Sequence, residues 1–300
     1  MIYDCAIIGG GPAGLNAALV LGRARRSVAL LDSNRPRNAV THASHGFITR
    51  DGVTPAEFRR IATEEVQRYP SVDYRQTEIV AVNRSEAGFE LLDSDNLRIQ
   101  ARRLILATGV KEIFPEIEGF HSFYGKSLFN CPYCDGWELR DQPLVVISET
   151  PAVYHMIKAL YNWSKDLVIC TNGKQTLSEE QKTHLKSKGI TVEERPIAAL
   201  VGQNGQLEYV RLADGTEIPR TGGFATPTLV QSVAFSDELG CERLEIGGIK
   251  TDEWGRTSVP GLYSAGDASY VMPSQLIYAA ADGSRAAVGV NMDLTEEQFA

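Results

Sequence analysis

The run Tyr3-Asp4-Cys5-Ala6-Ile7-Ile8-Gly9-Gly10-Gly11-Pro12-Ala13-Gly14-Leu15 decides the fold. A short apolar stretch that stops at glycines reads as a buried parallel strand, since strands covered on both faces lose their alternation. After the glycines, Leu15, Ala18, Leu19 and Gly22 recur at helical spacing, and Ser27-Val28-Ala29-Leu30-Leu31 reads as a second strand ending on Asp32. The result is a βαβ unit with a G-x-G-x-x-G turn and an acid eighteen residues past the last glycine. Gly9 makes the tight turn, Gly11 lets backbone approach a pyrophosphate, and Gly14 lets helix pack on strand. The helix N-terminus, bearing Pro12 and Ala13, offers free N–H groups and a favourable dipole to that anion. Asp32 stands where a ribose hydroxyl would be accepted.

Working outward, Arg103-Leu104-Ile105-Leu106-Ala107-Thr108-Gly109 is a strand ending in Thr-Gly. Val259 to Asp267 is another, ending in Gly266-Asp267. Between them the βαβ rhythm repeats: Leu144–Ile147 as strand, Val153, Met156, Ile157 and Leu160 as helix, Leu167–Cys170 as strand. Thr150-Pro151 is read as the cap and first position of that helix. The expectation is an α/β protein of two Rossmann-like doubly wound domains, one from residues 1–113 and 246–300, the other inserted as 114–245. Glu296-Glu297-Gln298 reads as a solvated tail.

The length of 300 residues suits two domains at roughly 100–200 residues each. With 30 Lys+Arg against 38 Asp+Glu, the net charge of −8 disfavours nucleic acid and anionic membranes as partners. Cys5 to Gly22 carries no charge, yet its glycines, Pro12 and Asn16 argue against a membrane span. No signal peptide is visible and five cysteines make no disulfide framework, so a cytoplasmic enzyme is expected.

Cys131-Pro132-Tyr133-Cys134-Asp135-Gly136-Trp137 carries the sharpest chemistry. A structural zinc site needs four ligands, and Cys5, Cys170 and Cys241 form no second pair, reading instead as buried small hydrophobes. A dithiol/disulfide couple accounts better for the spacing, and no metal is expected. Asp135 could move a proton to or from a thiol, or cap the following helix.

The Gly9-to-Gly14 turn, Ala107-Thr108-Gly109, the C-x-x-C-Asp-Gly block and Gly266-Asp267, in that order over nearly the whole chain, resemble the low-molecular-weight thioredoxin reductases and their relatives. The resemblance implies a pyridine nucleotide-disulfide oxidoreductase of class II architecture: an FAD domain, an inserted NAD(P)H-type domain, and a homodimer. It implies Cys134 as the flavin-facing cysteine, Cys131 as the one exchanging with substrate, and Asp135 as acid/base. Asp267 would bond the ribityl chain, Gln275 would lie against the isoalloxazine, and Ile79 would meet the adenine. A flavin beside a dithiol is coherent chemistry, since each holds two electrons.

Two departures sharpen this. Where NADPH-dependent members have G-x-G-x-x-A, this chain has Ser148, Thr150 and Val153, with Glu149 inside the turn; the phosphate cluster corresponds to Thr171-Asn172-Gly173, without arginine. Side chains there hold backbone away from a pyrophosphate and a carboxylate repels it, so efficient NAD(P)H use is not expected. Second, Arg35 to Phe47 resembles the Arg-Asn…His pattern of the branch containing dithiol oxidases, although many of that branch carry His where this chain has Asp135. Arg37 and Asn38 are expected at FAD, with His45 near the flavin and His42 either there or merely a satisfied polar residue. The expected reaction is exchange of electrons between a substrate dithiol and FAD through Cys131/Cys134, with oxygen as acceptor and a small-molecule dithiol or thioredoxin-like protein as partner. The alternatives are a thioredoxin-disulfide reductase driven by NAD(P)H or ferredoxin, and a non-catalytic flavin-binding module.

Overall fold

The computed structural model describes residues 1–269 and 274–300. The chain divides into two compact units: residues 1–39, 46–111 and 229–300 form the first, residues 40–45 and 112–228 the second.

The first unit is built on a seven-stranded sheet. Its central strand Ile2–Ile8 lies parallel between Val28–Asp32 and Arg98–Leu106. Val72–Gln76 extends one side, Leu262–Ser264 and the antiparallel pair Ile79–Ser85 and Gly88–Asp93 the other. Cys5, Ala6 and Ile7 are fully buried, as an uninterrupted apolar run between two covered faces requires. One face packs Cys5, Ile7, Leu30 and Ile105 under the helices Pro12–Arg23 and Leu276–Phe299; the other packs Ala6, Leu31, Phe89 and Leu104. Each fully buried Leu or Ile contributes about 1.5–3 kcal/mol of transfer free energy.

The register aligns Ile8 with both Leu31 and Leu106, and Leu106 with Ser264. Gly9, Asp32, Thr108-Gly109 and Gly266-Asp267 therefore leave the sheet at one C-terminal edge, the place where such sheets bind ligands.

Three sequence expectations shift here. Residues 229–245, placed by sequence in the inserted domain, group with the first unit: Phe235 is buried among Ile8, Ile249 and Leu262, with Val233, Leu239 and Cys241 against it. Glu296-Glu297-Gln298 is no free tail but the last turn of the helix Leu276–Phe299. Glu297 pairs with Arg102 and Arg103, and Gln298 accepts from Arg26 at 3.1 Å. Cys5 and Cys170 are fully buried, but Cys241 is only partly so.

The second unit has a five-stranded parallel sheet, in the order Thr191–Glu193, Leu167–Cys170, Leu144–Ile147, Gly222–Ala225, Leu128–Phe129. An antiparallel sheet of Ile197–Gln203, Gln206–Leu212 and Glu217–Pro219 is added to it in sequence. Val153, Ile157 and Leu160 of the helix Val153–Leu160 pack with Leu144, Val146 and Ile169, as the helical spacing requires. Thr150-Pro151 does not start that helix. Those residues form a turn that precedes Val153, and Thr150 makes no side-chain cap. Among the described residues no helix is long and apolar enough to cross a membrane.

Candidate active site

In the first unit the glycine turn is shaped by contacts that leave no room for side chains. A Cβ on Gly9, which sits at φ +110°, would collide with the Ala107 carbonyl, and one on Gly14 with the Gly9 carbonyl. At Gly11 the situation reverses: among the described residues a Cβ would meet nothing within 4 Å. Gly11 is the extended residue before Pro12, and the helix Pro12–Arg23 has neither a side-chain cap nor an acid in its first turn. Unclaimed N–H groups thus face open space at a helix N-terminus, which suits a pyrophosphate.

Asp32 is buried at the adjacent strand end. Its Oδ1 accepts from the Gly10 N–H at 3.1 Å, and its Oδ2 pairs with Arg59, which also donates to Asn34 at 2.8 Å. Tyr74 adds a longer contact to Oδ2 at 3.5 Å, while Oδ1 keeps a further lone pair for a ribose hydroxyl. Gly10 and Arg59 were not picked out from sequence. Gly10 is the middle of a glycine run whose fixed positions flank it, though a Cβ there would press on Asp32. Arg59 lies on the helix Pro55–Gln67, far along the chain, where only the need of a buried carboxylate for a cation hints at it.

Arg37 donates to Asp267 at 2.9 Å and to Ser274 Oγ at 2.5 Å, and Ser274 donates to Asp267 at 2.5 Å. Asn38 follows Arg37 in the turn Arg37–Val40, and Gln275 is the residue before the helix Leu276–Phe299. Gly109 has φ +64° and no neighbour around a Cβ. Ile79 is buried at the start of its strand, beside the Arg35–Glu78 ion pair. The glycine cradle, the acid at the strand end and the Arg37–Asp267 pair on one sheet edge fit FAD.

The second unit carries the redox group. Cys131 and Cys134 form a disulfide with their Cα atoms 5.2 Å apart. The helix Pro132–Asp135 is a single turn begun by Cys131, whose carbonyl accepts from the Cys134 and Asp135 N–H groups, both at 3.1 Å. A Cβ on Gly136 would press on Trp163, so the turn packs close against that ring. With the cysteines bonded to each other, they are no half of a zinc site.

Asp135 ends this turn rather than capping a following helix. Burial pushes its carboxyl up to about 7, with the charge of Glu138 adding to the rise and that of His45 opposing it. His45 Nε2 stands 3.7 Å from Glu138 Oε1. His45, expected near the flavin, belongs to the second unit and lies beside Glu138, a residue not picked out from sequence. His42 is exposed. Tyr133 and Trp137 flank the disulfide turn with 70 % and 65 % exposure, and Arg140 lies over the Trp137 ring at 4.1 Å.

The turn at the C-terminal ends of Leu144–Ile147 and Leu167–Cys170 is closed from within. Glu149 Oε1 accepts from Asn172 Nδ2 at 2.6 Å, and Asn172 Oδ1 accepts from the Ile197 N–H at 2.9 Å. The Thr150 N–H donates to Ser148 Oγ at 3.3 Å, while the Val153 and Tyr154 N–H groups donate to the Thr150 and Pro151 carbonyls.

The sequence profile described as pyridine nucleotide-disulphide oxidoreductase matches residues 3–283. A putative thioredoxin reductase from Bacillus anthracis of known structure is similar at 48 % identity and a TM-score of 0.96, covering 99 % of this chain and 100 % of that one. The structure of HlmI is similar at 34 % identity and a TM-score of 0.94, covering 99 % of this chain and 94 % of that one. A thioredoxin reductase of Gibberella zeae is 32 % identical over 98 % of each chain. With its disulfide beside an acid and its glycine cradle on a parallel sheet, this chain belongs to the pyridine nucleotide-disulphide oxidoreductase family, as a thioredoxin-reductase-like flavoprotein oxidoreductase.

Proposed function

We propose that this protein oxidises a dithiol, with oxygen rather than a pyridine nucleotide completing the cycle. The observation that carries the reading is the Glu149–Asn172 hydrogen bond across the turn where a nucleotide's phosphates would enter. A carboxylate there opposes an anion, and the Thr150, Val153 and Tyr154 N–H groups already have partners.

A substrate thiolate attacks Cys131 Sγ, the Cys131–Cys134 bond breaks, and Cys134 leaves as a thiolate that Asp135 protonates or holds. The second substrate thiol then attacks the sulfur bound to Cys131, closing the substrate disulfide and leaving both cysteines reduced. Two electrons and two protons have moved from substrate to the pair. FAD, where bound, would supply a two-electron sink for that dithiol, with oxygen as the final acceptor. In this reading Gly9, Gly11, Pro12, Ala13 and Gly14 hold its pyrophosphate and Asp32 its ribose. Arg37, Asn38, Thr108, Gly109, Gly266, Asp267, Gln275 and Ile79 contact the rest. Cys134 would be the cysteine that passes electrons to the flavin, and the enzyme works as a cytoplasmic homodimer. The substrate is a small dithiol, with a thioredoxin-like protein as the other candidate. Ferredoxin or NAD(P)H as donor would reverse the flow toward disulfide reduction.

An anaerobic spectral titration of the FAD-loaded protein decides the matter. The expected result is no bleaching by NADPH or NADH, bleaching by a dithiol, and recovery on admitting air. Bleaching by a nucleotide at micromolar concentration would overturn the oxidase reading in favour of the reductase. Cys134→Ser should retain FAD and lose bleaching by dithiol; unimpaired bleaching in that variant would sink the thiol route itself.

A further inference from the structure

Beyond the disulfide and Asp135, two side chains stand at the same place without a role in the exchange chemistry so far. Glu138 follows Asp135 by three residues, and His45 reaches it from the segment 40–45 of the same unit, at 3.7 Å. The His45 side chain keeps 22 % exposure, whereas Glu138 is exposed at 44 %.

We propose that Glu138 and His45 act as an opposed pair of positioning residues that sets when Asp135 gives up its proton during thiol–disulfide exchange. The proposal deepens the function argued above and rests on it for Asp135 as the proton carrier. Glu138 brings a negative charge toward Asp135, so the proton is retained; a protonated His45 compensates that charge and eases its release. Burial raises the Asp135 carboxyl first, Glu138 raises it further, and His45 acts the other way.

Other charges near this turn are directed elsewhere. The helix Val153–Leu160 packs on it, but its Lys158 lies over the Tyr154 ring at 4.7 Å, and Tyr154 bonds His184 at 2.7 Å. Arg140 lies over Trp137. Among the described residues, Glu138 and His45 are the charges that act on Asp135.

The exchange half-reaction isolates this, because it needs neither nucleotide nor oxygen. The FAD-loaded protein, anaerobic and oxidised, is mixed with excess dithiothreitol across pH 5 to 9, and cleavage of the Cys131–Cys134 bond is followed by rapid alkylation and mass spectrometry. Asp135→Asn identifies which limb of the profile belongs to Asp135. Glu138→Gln should move that limb to lower pH and His45→Gln should move it to higher pH, each by about one pH unit. Opposite displacements are a signature that a merely structural role would not give. Limbs that stay in place, or move in the same direction, would overturn the pairing. In the reduced holoenzyme, thiolate ultraviolet absorbance titrated against pH supplies a second readout independent of turnover, with displacements of the same sign expected. If exchange is normal in all variants while aerobic turnover is absent, the oxidase reading fails and the pair's role is judged on the profiles alone.

Discussion

Two turns in this molecule occupy the same position in the same kind of unit and have opposite character. Each follows the central strand of a parallel sheet and precedes a helix. In the first unit the turn Gly9 to Gly14 leaves its helix N–H groups unclaimed and opens at Gly11 onto space. In the second, the Thr150 N–H donates to Ser148 Oγ and the Val153 N–H to the Thr150 carbonyl, and Glu149 closes the turn through Asn172. The acids differ as well. Asp32 is held back against Gly10 and Arg59 at the end of its strand, whereas Glu149 lies within the turn itself. A βαβ frame depends on buried apolar residues and a ligand site on backbone left without partners, so the same frame can carry turns of either character.

The largest expected effect comes from imposing the second turn's character on the first. Gly11 has φ −78° and ψ −177°, which any residue adopts, and a Cβ there touches nothing within 4 Å among the described residues. Gly11→Asp should therefore fold, with an unchanged circular dichroism spectrum, yet weaken FAD binding about 100-fold or more, since a carboxylate would face the pyrophosphate. Retention of FAD through gel filtration would break the comparison, because the cradle would then not be where the phosphates sit.

A smaller effect is expected from the converse change. Glu149→Ala removes the charge and frees Asn172 Nδ2, but leaves Ser148, Thr150 and the internally satisfied N–H groups in place. Anaerobic flavin reduction by NADPH should rise by about tenfold from its low starting rate, as one removed like charge allows. An unchanged rate would assign the closure to the backbone and side chains of the turn, and the comparison would then rest on them.

Legibility from sequence follows the same division. The strand Tyr3–Ile8, its glycines and the Cys131–Cys134 pair were readable because the signal is local: apolar runs, φ-permissive residues and a fixed two-residue spacing. Even the altered second turn was readable, as Ser148 and Thr150 where glycines were expected and a carboxylate between them. What could not be read were pairings made by the fold. Arg59 reaches Asp32 across 27 residues, and Glu138 meets His45 across a far longer stretch, with no periodicity to announce either. The segment 229–245 was misassigned for the same reason: Phe235 finds its apolar surroundings on strands remote in sequence. Glu297 seemed a tail residue until Arg102 and Arg103 were brought beneath it.

The finest test concerns Thr171, which directly follows the strand Leu167–Cys170 as Asp32 ends Val28–Asp32 in the first unit. Both Asp32 oxygens have partners, but Thr171 is completely buried and its Oγ1 has no hydrogen-bond partner among the described residues. A buried hydroxyl without a partner costs free energy that its replacement by a methyl recovers. Thr171→Val should leave stability unchanged or raise it by about 1 kcal/mol in urea denaturation, with flavin reduction by dithiol unaffected. A loss of stability would mean that the hydroxyl serves a ligand or water at this strand end. The second unit would then retain part of a binding site behind Glu149, and its turn would be a closed pocket rather than a lost one.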